Sequence, residues 1–204
     1  MKIALIGATG RIGACIRDEA LSRGHTVEAI ARNVSALPQK PGLHAVACDV
    51  ADAAALARAI KGVDAVVVSV DWAKTDVKPV YAAMRQAGVR RLLAVGGASS
   101  LSRTPGGPRS FDMPDFPENL KPIVGPAVAG LDHIRTITDL DWTYVSPSLT
   151  IDAGERTGKF RLDTDTLLVD TEGKSFISRE DFAIAVVDEL EHPQFIRKRF
   201  TVGY

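Results

Sequence analysis

The sequence is short of cysteine, of any charge excess and of long apolar runs. It has two cysteines in 204 residues. Two cannot build a disulfide framework. Cys15 and Cys48 both have apolar neighbours and read as reduced, buried thiols. Lys plus Arg is 25 and Asp plus Glu is 25, so the formal net charge is zero. A nucleic-acid binder usually carries a strongly basic balance, and so does a polybasic membrane-surface protein. No stretch reaches the roughly 18 apolar residues of a membrane helix. The run Met1–Ile6 is too short for a signal-peptide core, and a glycine-rich turn interrupts it. No His/Cys pairing suits zinc, and the DTDT stretch at 163–166 lacks the glycine and distal glutamate of a calcium loop. The expectation is a cytoplasmic protein with a small-molecule substrate, no direct nucleic-acid partner, no membrane and no metal.

The chain does carry a regular alternation of apolar runs and helical patterns. Hydrophobic residues are 46% and charged residues 25%, as in a folded domain. Strands are expected at Lys2–Ile6, Thr26–Ala31, Leu43–Cys48, Asp64–Val70, Arg91–Val95 and Trp142–Ser146. Helices are expected at Arg11–Arg23, Asp52–Ile60, Val77–Ala87 and Ala127–Leu140, several ended by glycine. Strand–helix–strand repetition calls for a parallel sheet with helices on both faces. The strands are continuously apolar, which fits burial on both faces. Ala98–Pro117 is rich in proline and glycine and reads as a lid or binding loop. The tail reads as a hairpin of Lys159–Leu162 with Leu167–Asp170. An extended piece follows at Phe176-Ile177, then a capping box of Ser178 with Asp181. A core-facing helix and a last strand at Arg199–Val202 complete it. Residues 1–204 form one domain, with 150–204 contributing a small substrate-side lobe.

The strongest signal is Gly7-Ala8-Thr9-Gly10-Arg11-Ile12-Gly13. It follows a strand and opens a helix, where a dinucleotide pyrophosphate binds. Glycines let the backbone approach the phosphates, and helix N–H groups stabilise the anion. At the end of strand two, where an acidic residue would hold an unphosphorylated ribose, stand Arg32 and Asn33. Arg32 can fork onto a 2′-phosphate, so NADP(H) is favoured over NAD(H); the alternative is an ordinary surface arginine. Asp49-Val50 could meet the adenine or serve the start of the next helix. Ser69-Val70 and Gly96-Gly97 end strands four and five, where ligands bind in open sheets.

GATGRIG at 7–13, CDVAD at 48–52, VGGASSL at 95–101, WTYVSPS at 142–148, RTG at 156–158 and FISREDFA at 176–183 together resemble the short-chain dehydrogenase/reductase superfamily. They are most similar to its atypical NAD(P)-binding branch, related to NmrA and biliverdin reductase B, and within it to proteins described as NADH-flavin reductases. The resemblance implies a Rossmann-type doubly wound sheet, with Pro147-Ser148 against the nicotinamide. It also implies a strand-five serine, Ser99, that bonds substrate or nicotinamide, or simply makes the turn. Most members of the superfamily use a Tyr-x-x-x-Lys pair on the helix after the long loop. Here VGPAVAGLDHIR at 124–135 has neither. Tyr81 precedes Arg85 on the wrong helix, and Tyr144 precedes Ser148. His133 is a candidate acid near neutral pH, or else a packing residue.

Hydride transfer to a carbonyl needs a proton donor. Transfer to a flavin or quinone spreads charge over a ring and demands less. The sequence therefore points to an NADPH-dependent reductase with flavin as a possible substrate. The alternative is a non-catalytic NADP(H)-binding redox sensor or regulator of NmrA type. A sugar-nucleotide epimerase would need an acid/base pair and a larger lobe. In the long loop, Arg103, Arg109, Phe111, Met113 and Phe116 could cover a flat substrate or pack the loop down.

Overall fold

A computed structural model describes residues 1–204. The main sheet has eight strands in the order β3-β2-β1-β4-β5-β6-β10-β8. β1 is Lys2–Ile6, β2 Thr26–Ala31, β3 Leu43–Ala47, β4 Ala65–Val68, β5 Arg91–Val95 and β6 Asp141–Ser146. β7 is Thr150–Asp152, β8 Arg161–Asp163, β9 Phe176–Ser178 and β10 Lys198–Gly203. All neighbours are parallel except β8, which runs antiparallel to β10 at one edge. The helices are α1 Arg11–Ser22, α2 Ala53–Ala59, α3 Lys78–Ala87, α4 Lys121–Ile134 and α5 Arg179–Glu191. No helix is long and apolar enough to cross a membrane.

Alternation along the strands explains their apolar character. In β1, Ala4 and Ile6 enter one core with α2, α3 and α4; Ile3 and Leu5 enter another with α1 and α5. In β4, Val66 and Val68 join the first, and Ala65 and Val67 the second. Successive side chains point to opposite faces, so a strand covered on both must be apolar at every position. The strand order reverses between β1 and β4, which opens a crevice at their carboxyl ends.

Several local expectations are corrected. The tail hairpin does not form. The Asp163 carboxylate accepts from the N–H groups of Asp165 and Thr166, both at 3.0 Å, in an Asx turn. The chain then crosses to Ser102, whose carbonyl accepts from the Leu167 N–H at 2.9 Å. β8 meanwhile pairs with β10. α4 starts six residues before Ala127, because Pro122 stands in its first turn and favours a helix start. Pro126 lies inside it. Both cysteines are half-buried. β4 is shorter than the apolar run: Ser69 N–H still bonds the Ile6 carbonyl at 2.9 Å, but the strand has ended.

The capping box forms only on its serine side. Ser178 Oγ accepts from the Asp181 N–H at 3.0 Å. The Asp181 carboxylate, fully buried, faces residues 157–158 instead. It accepts from the N–H groups of Thr157 and Gly158 at 2.8 and 2.9 Å, from the Thr157 hydroxyl, and from the Tyr204 hydroxyl at 2.8 Å. Arg156 beside it forms an ion pair with Glu19 of α1 at 2.8 Å. These bonds fasten the 153–160 connection to the first and last helices. Burial tends to raise the Asp181 pKa, but the donors from Thr157, Gly158 and Tyr204 outweigh it and hold the carboxyl below 3.8. A depressed carboxylate contributes stability above its unfolded pKa and loses it as pH falls through the folded value. Asp181→Asn is expected to cost about 3 kcal/mol in urea unfolding at pH 7. The gap to the unaltered protein should narrow as pH drops below 4.

Candidate functional site: a phosphate-loop cleft

The crevice at the β1/β4 switch is a cleft of 670 Å³. Two backbone contacts shape it. Gly7 ends β1 with φ +86°, and a Cβ there would lie 2.0 Å from the Ser69 carbonyl oxygen. A Cβ on Gly13 would lie 2.2 Å from the Gly7 carbonyl oxygen. Neither position can hold a side chain while the loop lies this close to β4 and α1 this close to the loop. Gly10 differs. Its backbone is ordinary extended chain, φ −71° and ψ 161°. A Cβ there meets only the Gly7 oxygen, at 3.3 Å. Its smallness serves the cleft more than the fold. Arg17, nearly buried, donates to the Ala8 carbonyl at 3.2 Å and pins the loop from below. The sequence gives no sign of this role, because a helical arginine looks like any solvated one.

α1 starts at Gly10 with no side-chain cap and no acid in its first turn. Its first N–H groups have no intrahelical acceptors, and the positive end of the helix dipole lies there. Arg11, Ile12 and Gly13 supply those groups. Gly7, Thr9, Gly10, Arg32, Asn33, Asp49, Val50, Ser69 and Val70 all line the one cleft. Arg32 is exposed and appears in no ion pair. Glu28 is no rival for it: its carboxylate is held inside β2 by Lys2 at 3.0 Å and His44 at 3.1 Å. The Asn33 carboxamide oxygen is committed to Ser35, accepting from its N–H at 2.9 Å and its hydroxyl at 2.7 Å. One Asp49 oxygen accepts from the Ala51 N–H at 3.0 Å, which makes the turn before α2. The segment Asp71–Asp76 also lines the cleft in part and was missed; only its place after β4 could have signalled it.

The other expected residues sit at the ends of β5 and β6, outside that lining. Gly96 N–H bonds the Val145 carbonyl at 2.8 Å, so the two strand ends are side by side. The Tyr144 ring occupies the space a Gly96 side chain would need. Pro147 is buried. Ser148 is buried too, and its hydroxyl donates to the Val202 carbonyl at 3.0 Å. Ser99 is half-buried in a short 3₁₀ turn, Ala98–Ser100, and its hydroxyl makes no protein hydrogen bond. Its neighbour Ser100 is held firmly. The buried Arg199 guanidinium donates to the Ser100 carbonyl at 2.6 Å, to the Thr164 carbonyl at 3.1 Å and to Asp165.

His133 is placed elsewhere. It is exposed, stacked on Tyr81 with ring centroids 5.7 Å apart, in a second cavity with Trp72. The α4 face that would carry a Tyr/Lys pair is filled by packing. The Trp72 indole lies where a Gly130 side chain would be, and its N–H donates to the Val95 carbonyl at 2.7 Å. The Tyr144 phenol donates to the Ala127 carbonyl at 2.7 Å. Burial pushes Tyr144 well above the usual phenol range and Tyr81 up to about 12. The loop arginines are also committed: Arg109 pairs with Asp112 at 2.6 Å and Asp132 at 2.8 Å, and Arg103 with Asp115 at 2.6 Å. Phe111 and Phe116 pack on each other, 5.5 Å apart.

A glycine loop, an uncapped helix start and a free arginine at a sheet switch point fit a dinucleotide, and they define a Rossmann-type nucleotide-binding protein. The chain belongs to the NAD(P)H-binding family, whose profile matches residues 7–193. It is 37% identical over 214 residues to YwnB of Bacillus subtilis (strain 168), covering 99% of this chain and 98% of that one. A Burkholderia pseudomallei structure described as a "putative exported protein" is 41% identical with a TM-score of 0.90, covering all of both chains. A Streptococcus pneumoniae TIGR4 structure described as a "putative NADH-flavin reductase", SP1627, is 33% identical with a TM-score of 0.86. That match covers 100% of this chain and 99% of the other.

The two glycine environments separate fold from binding. Gly13→Ala is expected to cost roughly 3 kcal/mol in thermal or urea unfolding, the upper end for overpacking. Gly10→Ala should cost under about 1 kcal/mol. It should still weaken NAD(P)H binding by about tenfold in a fluorescence titration, because its methyl group enters the cleft.

Proposed function

We propose that this chain is an NADPH-dependent reductase that delivers hydride to a flavin or quinone. The observation that carries the reading is the exposed, unpaired Arg32 at the end of β2, in the lining of a cleft with no tyrosine/lysine pair on α4. Arg32 would hold the 2′-phosphate in a fork. The first N–H groups of α1 would hold the pyrophosphate. The uncommitted Asp49 oxygen would accept from the adenine amino group. Gly96, Gly97 and Pro147 would flank the nicotinamide, with Ser99 offering a free hydroxyl on the acceptor side. The bound cofactor supplies the hydride. The chain contributes position and water exclusion rather than a proton, and a conjugated acceptor takes its proton from water. The description of the similar pneumococcal protein supports the same acceptor class. A cytoplasmic location belongs to this reading.

Arg32→Asp is expected to weaken NADPH binding at least tenfold and NADH binding by less than about threefold. Equal losses would remove Arg32 from the 2′-phosphate. The purified protein with NADPH and FMN, or with a soluble quinone, should consume NADPH faster than a protein-free control at 340 nm. The pinned loop and the lack of a proton donor also suit a redox sensor. Tight binding of NADP⁺ and NADPH with no turnover across the panel would decide for that alternative.

A further inference from the structure

The cofactor cleft is walled from both faces of the sheet. α1 begins on the face it shares with α5, and the Asp71–Asp76 connection between β4 and α3 leads into the face packed by α2, α3 and α4. A dinucleotide lying across the carboxyl ends of β1 and β4 passes between the two. The α1 wall offers N–H groups to its phosphates. The facing wall carries one cation, Lys74.

Charge makes that lysine stand out. Among the residues lining the cleft only Arg32 and Lys74 are positive. β1 lies between β2 and β4 in the sheet, so the two cations flank the phosphate loop from opposite sides. Three carboxylates, of Asp49, Asp71 and Asp76, line the same cleft and would repel a pyrophosphate. Each has one oxygen on a backbone N–H: Asp49 on Ala51, Asp71 on Ala73 and Asp76 on Lys78, all at 3.0 Å. The second Asp71 oxygen pairs with the Lys74 ammonium at 3.3 Å, and that ammonium has no other partner. The pair is open to water, with the Lys74 side chain 82% exposed and that of Asp71 53%. Such a pair contributes little to stability. The Lys74 N–H also bonds the Asp71 carbonyl at 3.0 Å, so the turn is closed by backbone and the ammonium can change partner without moving it.

We propose that Lys74 is a second cationic residue of the cofactor site and works by exchanging partners. It pairs with Asp71 in the free protein and with the pyrophosphate of the bound dinucleotide, which it clamps against the start of α1. The proposal rests on dinucleotide binding in this cleft, but on neither the NADPH preference nor the hydride acceptor.

The test is a fluorescence titration of the full chain with NADH and with NADPH. Lys74→Ala should weaken both by the same factor, about fivefold. The loss should shrink in about 0.5 M salt, because both groups are exposed to the screening ions. Lys74→Arg should keep most of the affinity. Asp71→Asn removes the competing charge but keeps the turn, since a carboxamide oxygen still accepts from the Ala73 N–H. It should tighten both cofactors about twofold. Thermal midpoints of all three variants should match that of the unaltered chain, as expected for exposed positions. Unchanged affinity in Lys74→Ala, a loss confined to NADPH, or weaker binding in Asp71→Asn would each overturn the proposal and leave the dinucleotide site standing. Failure of the unaltered chain to bind either cofactor would instead remove the dinucleotide site itself, and this proposal with it.

Discussion

Backbone passes backbone at two places in this protein with no room for a methyl group: Gly7 against Ser69, and Gly13 against Gly7. The cofactor edge depends on them. The first lets the loop leave β1 over the end of β4. The second lets α1 begin directly beneath that loop, so that its unbonded N–H groups face the cleft. Arg17 then locks the arrangement by bonding the Ala8 carbonyl. A side chain at either glycine would push α1 off the sheet, and α1 also carries Glu19, which anchors Arg156 of the 153–160 connection. One steric constraint thus sets both the phosphate site and the attachment of the C-terminal segment.

That constraint explains how a chain of zero net charge can be built to take a polyanion. Oriented N–H groups at the start of α1 can supply the attraction without a basic surface. Many other arginines are spent on carboxylates: Arg109 on two aspartates, Arg23 on Glu19, Asp188 and Glu191, Arg85 on Asp139. Arg11, Arg58 and Arg32 are in no ion pair, and of the three it is Arg32 that lines the cleft. Its position at the end of β2, beside the switch point, is where charge would act on a ligand.

The sheet and the cleft were legible in the sequence because both follow from local rules. Strands buried on two faces are apolar throughout, and a glycine loop between strand and helix has few other uses. Residues at the ends of β1, β2 and β4 meet at one edge by topology alone. The tail was less legible. The DTDT turn was visible, but its consequence was not. β8 pairs with β10, some 40 residues away, and pairing across that distance depends on which sheet edge is left open. For His133 the sequence leaves a candidate acid and a packing residue open, and the structure places it exposed and stacked on Tyr81. Its helix was found, but which face of that helix meets the cleft depends on Trp72, a residue from another connection. Ser148 looked like a nicotinamide contact, yet its hydroxyl is used by the Val202 carbonyl of a strand far away in sequence.

The packing around α4 bears most directly on chemistry. Gly130 is small so that Trp72 can lie against it, and Trp72 in turn caps the last carbonyl of β5. Tyr144, in β6, is fixed to the Ala127 carbonyl and pushed by burial well above the usual phenol range. Restoring a tyrosine/lysine pair on α4 would therefore require removing the indole, not just changing two residues on the helix. The 3₁₀ turn bearing Ser99 is instead stiffened by Arg199, which joins it to the turn after β8. The aromatic side chains on this side of α4 are thus committed to packing and backbone carbonyls rather than left free to exchange protons.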